Sequence, residues 1–260
     1  MFGFLKPAPL LDETSITWLF DVQLWCLQNF DAEVFYTETV LVTPSNEHFP
    51  GRENSLHGMA SLIFEQVKQH AGLQHWPCRL QEQSSCSLDQ PPKLSLQGAL
   101  RGTQGILQTA VPESQQLPVQ YAGSQLNNPE VLIASLSQQL AFYLAGFAKQ
   151  KPPAGDENWP QLIELIGLFM GFGVMFCNTA NTTRSKSCGS CSGPSAERDR
   201  ALSQDDLTYS LALFCHLKQI PNKAVLPHLN KHLRGYYKRA LKDVQQRTQQ
   251  LQPLQQMQAL

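Results

Sequence analysis

Cys188 and Cys191 are the one pair of side chains whose spacing alone spells a chemistry. A C-x-x-C pair either chelates zinc or cycles between dithiol and disulfide. The surrounding residues 178–200 are rich in Ser, Thr and Gly and read as a flexible loop. The pair therefore does not sit between a strand and a helix N-terminus, which argues against a thioredoxin-like site. A closed zinc site needs four ligands, and the chain has no second C-x-x-C. Cys177, Cys215 or His216 would complete one only if the loop folds back. Three readings stay open for Cys188 and Cys191: inert loop thiols, zinc ligands, or a redox pair. His48 and His57 flank the turn at Pro50-Gly51 and could converge as the centre of a different hydrolytic site, although no motif supports one. The stretch 231–242 holds five Lys or Arg residues and two tyrosines. Its plain reading is a solvated helix that docks Leu233, Tyr236, Tyr237 and Leu241 on the core.

Composition narrows the classes that these residues serve. The chain has 260 residues, 20 basic and 21 acidic, with a net charge of −1 and a hydrophobic fraction of 42%. That apolar mass can build a core, so a disordered chain is excluded. Balanced charge argues against a nucleic-acid binder. The charged fraction is only 16%, below the usual ~25%, and 29 glutamines supply the missing polarity without titrating. The N-terminal MFGFLKPAP has no basic region ahead of an apolar run, so no signal peptide is expected. The longest uncharged apolar run, residues 165–177, falls short of the ~18–20 residues that span a bilayer and reads as a core helix. Seven cysteines at irregular spacing fit a reducing cytoplasm.

The elements that must position any site follow from periodicity. Residues 12–30 carry Ile16, Leu19, Phe20, Gln23, Leu24 and Leu27 at helical spacing, with Asp12 or Thr14 to cap them. Residues 33–43 are β-branched and aromatic and read as a strand. A helix opens at Asn54 or Ser55, and Gly72 stops it. Residues 79–83, 93–97, 105–109 and 117–121 read as short strands of a small, mostly antiparallel sheet. Asn128 and Pro129 open a helix to residue 147. Residues 160–177 form a helix that is apolar nearly all round and belongs in the centre; Gly167 and Gly171 would let another backbone approach it. Ser203 opens a further helix to about residue 218, and Pro221 begins two short helical segments. The expected architecture is one α+β domain over residues 1–247, a sheet-bearing N-terminal half feeding a helical C-terminal half. The Gln-rich tail reads as a fraying helix end or a disordered tag, with residues 248–260 expected to be disordered.

Four segments resemble an uncharacterised bacterial family of zincin-like proteins: LVTPSNEHFPG (residues 41–51), NNPEVLIASLSQQLAFYL (127–144), ELIGLFMGFGVMFCNTA (164–180) and LSQDDLTYSLALFCHLK (202–218). The resemblance implies a helix bearing H-E-x-x-H and a following E-x-x-x-D element. In that motif two histidines one helical turn apart share a zinc ion, and the glutamate activates its water. Carried over residue by residue, the histidines fall on Gln138 and Phe142, the glutamate on Gln139, and the E-x-x-x-D pair on Pro160 and Glu164. Gln is a poor zinc ligand, Phe and Pro are none, and a neutral carboxamide takes no proton from water. The resemblance thus implies a degenerate site with no cofactor, a protein that is not a zinc peptidase, and at most a retained groove for a peptide or protein partner. As a packed helix residue, Phe142 would contribute roughly 1.5–3 kcal/mol of burial. Glu164 reads either as a first-turn carboxylate bonded locally or as a vestige of the site.

Overall fold

The structure is a computed structural model, and it describes residues 10–83, 96, 98–106, 111–180 and 200–258. Cys188 and Cys191 lie outside the described residues, as do most of the predicted strand 93–97 and the end of 105–109. Mixed helix and strand is what the chain forms, with helix predominating.

The chain opens with α1 (Glu13–Asn29), whose N-cap Asp12 accepts from the Ser15 N–H at 2.9 Å. A carboxylate at that position satisfies one of the orphan N–H groups of the first turn. Residues 33–43 correct the strand expectation: α2 (Ala32–Thr37) takes the first half, and the rest is extended without a ladder. Local β propensity is overridden by packing. Phe35 is sealed in the core, stacked on Phe169 at 4.7 Å and edge-on to Phe214. Lys218 donates to the Phe35 and Tyr36 carbonyls at 2.6 Å each, closing the C-terminal turn of α2. Burial, with the Arg101 charge nearby, lowers the Lys218 ammonium to about 8. Helix α3 (Leu56–Ala71) is capped by Ser55 and ends on Gly72 in the left-handed region at φ 73°.

Strands β1 (Cys78–Glu82) and β2 (Leu117–Tyr121) form a two-stranded sheet that is parallel, with Leu80 opposite Val119. This corrects the antiparallel expectation. Residues 83–116 separate the strands, a length that permits the return crossover a parallel pair needs. The antiparallel pairing seen among the described residues is a single bridge between Gly98 and Gly105.

Helix α4 (Pro129–Ala145) starts at the Asn128 cap with Pro129 in its first turn. Helix α5 (Trp159–Thr179) is the central rod. It extends beyond the apolar run 165–177, so by length and mean hydropathy, 1.7, it could cross a membrane; 94% of that stretch is nevertheless buried inside the protein. The rod breaks into a π-type turn where Gly171 adopts φ 105°. There the Val40 backbone approaches so closely that a Cβ would clash with its carbonyl, and Gly171 O accepts from Val42 N at 3.0 Å. Gly171 thus docks the extended segment onto the core, whereas Gly167 makes room for the Phe176 ring rather than for another backbone.

After α6 (Gln204–Leu217), opened by a Ser203–Asp206 capping box, come α7 (Asn222–Val225) and α8 (Leu233–Gln246). The tail corrects the disorder expectation: Thr248–Gln256 is α9, with Leu251 and Leu254 buried. Arg247 secures it, reaching Glu13 at 2.7 Å and Asp243 at 2.6 Å, while the Tyr36 hydroxyl donates to Leu254 O at 2.7 Å.

One buried cation joins three of these pieces. Arg101 is fully enclosed and its guanidinium donates to Ala71 O at 3.1 Å, Phe30 O at 3.4 Å and Thr39 Oγ1 at 3.2 Å. Phe30 and Ala71 lie at the C-terminal ends of α1 and α3, where unpaired carbonyls and the helix dipole favour positive charge. Burial lowers its pKa to about 10, with the Asp31 charge opposing the shift.

Candidate binding cleft

Gln138, Gln139, Phe142 and Pro160, the positions that the resemblance assigns to a zinc site, all line one cleft of about 510 Å³. Three lie within five residues on α4, about one helical turn, and Pro160 lies in the first turn of α5. Trp159 and Ile163 extend the α5 wall, Ser135 extends the α4 wall, and Gln83, Gln120, Ala122 and Gln125 complete the lining. The volume falls in the roughly 300–1,000 Å³ range of ligand sites. Among the described residues, none of the lining side chains is charged.

Gln139 does not project freely into this space. Its Oε1 accepts from the Gln120 N–H at 2.8 Å, and its Nε2 donates to the Gln120 carbonyl at 2.7 Å and to Ser135 O at 3.3 Å. A carboxamide carries the same donor and acceptor as a peptide unit, so it pairs with β2 as a neighbouring strand would. Odd positions of β2 face β1: Leu117 N donates to Pro77 O and Tyr121 O accepts from Gln83 N. Even positions face α4, where the Tyr143 hydroxyl donates to Pro118 O at 2.5 Å. Burial raises that phenol to about 12. Gln125 continues the pattern by accepting from Ala122 N at 3.0 Å and donating to Ser135 Oγ at 2.9 Å. The outward edge of β2 is thus closed by side chains.

Phe142 corrects the expectation of a buried ring. It is 48% exposed and stands edge-on to Tyr143 at 5.7 Å between centroids. Glu164 does not join the cleft. It is fully buried in the second turn of α5, and its Oε2 accepts from Leu202 N at 2.7 Å, a contact 38 residues away rather than a local one. A zinc ion does not fit the lining: two carboxamides, a phenyl ring and a pyrrolidine supply no strong donor, and the Gln139 amide is committed to the strand.

His48 and His57 have separate partners. His57 Nδ1 lies 3.0 Å from the Tyr121 hydroxyl. His48 Nδ1 lies 2.9 Å from Thr43 Oγ1 and faces the Thr43 N–H at 3.4 Å, so Nδ1 is the unprotonated nitrogen. Its carbonyl accepts from His70 Nε2 at 2.8 Å. Burial, then the His70 charge, lowers the His48 pKa. Of the residues named as further zinc partners, Cys177 and Cys215 are both buried, and burial raises the Cys215 thiol to about 12.

A larger recess of about 630 Å³ lies among α2, α3 and the Arg101 segment. Of its two acids, Glu38 is engaged with the Thr103 N–H at 2.9 Å and the Thr103 hydroxyl at 3.0 Å, and Glu65 faces Lys68 Nζ at 3.3 Å. The closing of β2 by Gln139, Tyr143 and Gln125 carried no signal in the sequence. Compared with protein-family models, with curated proteins and with solved structures, the chain matches none.

Proposed function

We propose that the protein is a non-catalytic interaction module that binds a peptide segment of a partner in the cleft between α4, β2 and the start of α5. The observation that supports this reading is the lining itself. Amides, a half-exposed phenyl ring, an indole and a proline hold and orient a ligand, but none of them ionises near neutral pH to attack or protonate it. The resemblance to zincin-like proteins fits this reading as a proposal of origin: a site whose coordinating residues were replaced while the cleft persisted. A cytoplasmic setting accords with it. The test pairs metal analysis of the purified chain with two assays on a mixed peptide pool, retention and cleavage. Retention without turnover, lost in Phe142→Arg, is the expected result. Chelator-sensitive cleavage abolished by substituting Gln139 would overturn the reading.

A further inference from the structure

Three properties of the cleft narrow its ligand. The first is charge. A ligand carrying an ion into this cleft would lose hydration and meet no counter-ion among the described residues, so an uncharged segment is the complementary one. The second is the state of the strand edge. Pro118 O, both main-chain groups of Gln120 and Ala122 N are already bonded to Tyr143, Gln139 and Gln125. A peptide adding as a further strand would find its ladder partners taken. The third is the surface left over. The Phe142 ring is open, Trp159 is half-buried in the same lining, and Pro160 is exposed. The carboxamides of Gln83 and Gln120 and the Trp159 indole N–H carry no hydrogen bond among the described residues.

We propose that the cleft takes an uncharged proline-rich segment in the polyproline II conformation. This rests on the reading that the cleft binds a peptide. Such a segment makes no internal hydrogen bonds and presents its carbonyls outward. Its prolines lack an N–H and so require no strand edge. Prolyl rings pack on flat aromatic surfaces, and the exposed carbonyls accept from side-chain donors between those surfaces. Phe142 and Trp159 supply the surfaces, while Gln83, Gln120 and the indole supply the donors.

The experiment is fluorescence anisotropy on the full chain with two labelled, uncharged peptides of equal length. One is built of Pro with interspersed Gln; the other is a Thr/Val strand former. Saturable binding of the Pro/Gln peptide is expected, weakened at least ~10-fold by Phe142→Ala. Because that ring is already half-exposed, the melting temperature should hold; Trp159→Phe, which keeps a ring and removes the donor, gives a second and milder loss. Preferential binding of the Thr/Val peptide, also lost in Phe142→Ala, would overturn the polyproline proposal and keep the cleft as a peptide site. Binding of neither peptide would overturn both. Pro/Gln binding that neither substitution alters lies elsewhere on the molecule and would likewise overturn the proposal.

Discussion

The Arg101 junction and the Gln139 cleft solve the same problem with opposite materials. Each places a side chain against main-chain groups that regular structure leaves unpaired. At the junction these are carbonyls at two helix ends, and the agent is a fully buried cation. At the cleft they are the outward groups of an edge strand, and the agent is a neutral amide in a half-buried position. Helix C-termini converge as negative potential, so a guanidinium is favoured there in spite of its desolvation. A strand edge alternates donors and acceptors and has almost no net dipole, so a carboxamide suits it. Of these two places, the junction uses a charge to hold main chain together and the cleft uses neutral groups.

The largest expected effect breaks the junction. Arg101→Met should cost about 3–5 kcal/mol in urea unfolding, because it strands the Ala71 and Phe30 carbonyls and the Thr39 hydroxyl in the core. A loss below ~1 kcal/mol would mean that water or rearrangement replaces the cation. Next comes the cleft as a scaffold. Combining Gln138→His, Gln139→Glu, Phe142→His and Pro160→Glu should create a zinc site binding at least ~100-fold more tightly than the native chain by competition with a chromophoric chelator. Unchanged zinc affinity would show that these four positions, although they share a cleft, lack coordinating geometry.

A smaller change reopens the strand edge. Gln139→Ala should cost about 1 kcal/mol and raise affinity for the Thr/Val strand former while leaving the Pro/Gln peptide's nearly constant. Equal gains for both would contradict the idea that this amide blocks strand addition. The smallest effect separates the two regions by pH. Burial lowers the pKa values of His48, His75 and His216 in the folded chain. Each contribution is complete above the unfolded value near 6.5 and is lost as pH falls through the lower folded value. The melting temperature should thus drop by a few degrees between pH 7 and pH 5, and less in His48→Gln. Peptide affinity, measured well below the melting temperature, should stay flat over the same range because the described lining holds no titratable group. A steep pH dependence of binding would break the contrast.

How much of this was legible in the sequence depends on how far each determinant reaches. Asp12, Ser55, Asn128 and Ser203 announce their helices because a cap acts within three residues. Gly72 ends α3 for the same local reason. Residues 33–37 misled because Phe35 is held by Phe169 and Phe214, both distant in the chain. The Gln-rich tail looked structureless by composition, yet two leucines, Leu251 and Leu254, suffice to dock it when Arg247 finds Glu13 across the molecule. Arg101 drew no attention because one arginine among 20 basic residues has no pattern; its role exists only where two helix ends meet. Gln138, Gln139, Phe142 and Pro160 line one cleft, whereas Glu164, which the resemblance groups with them, bonds Leu202 N elsewhere.

By itself the sequence determined the helix starts and stops, the apolar central rod and the absence of a His from the helix that carries Gln138 and Phe142. Those properties depend on residue type and spacing over a few neighbours. Only the tertiary structure decided that β1 and β2 run parallel, that Gln139 closes an edge and that Phe142 stands open in a cleft. Strand direction and side-chain exposure are set by which distant surfaces meet, and no local pattern encodes that meeting.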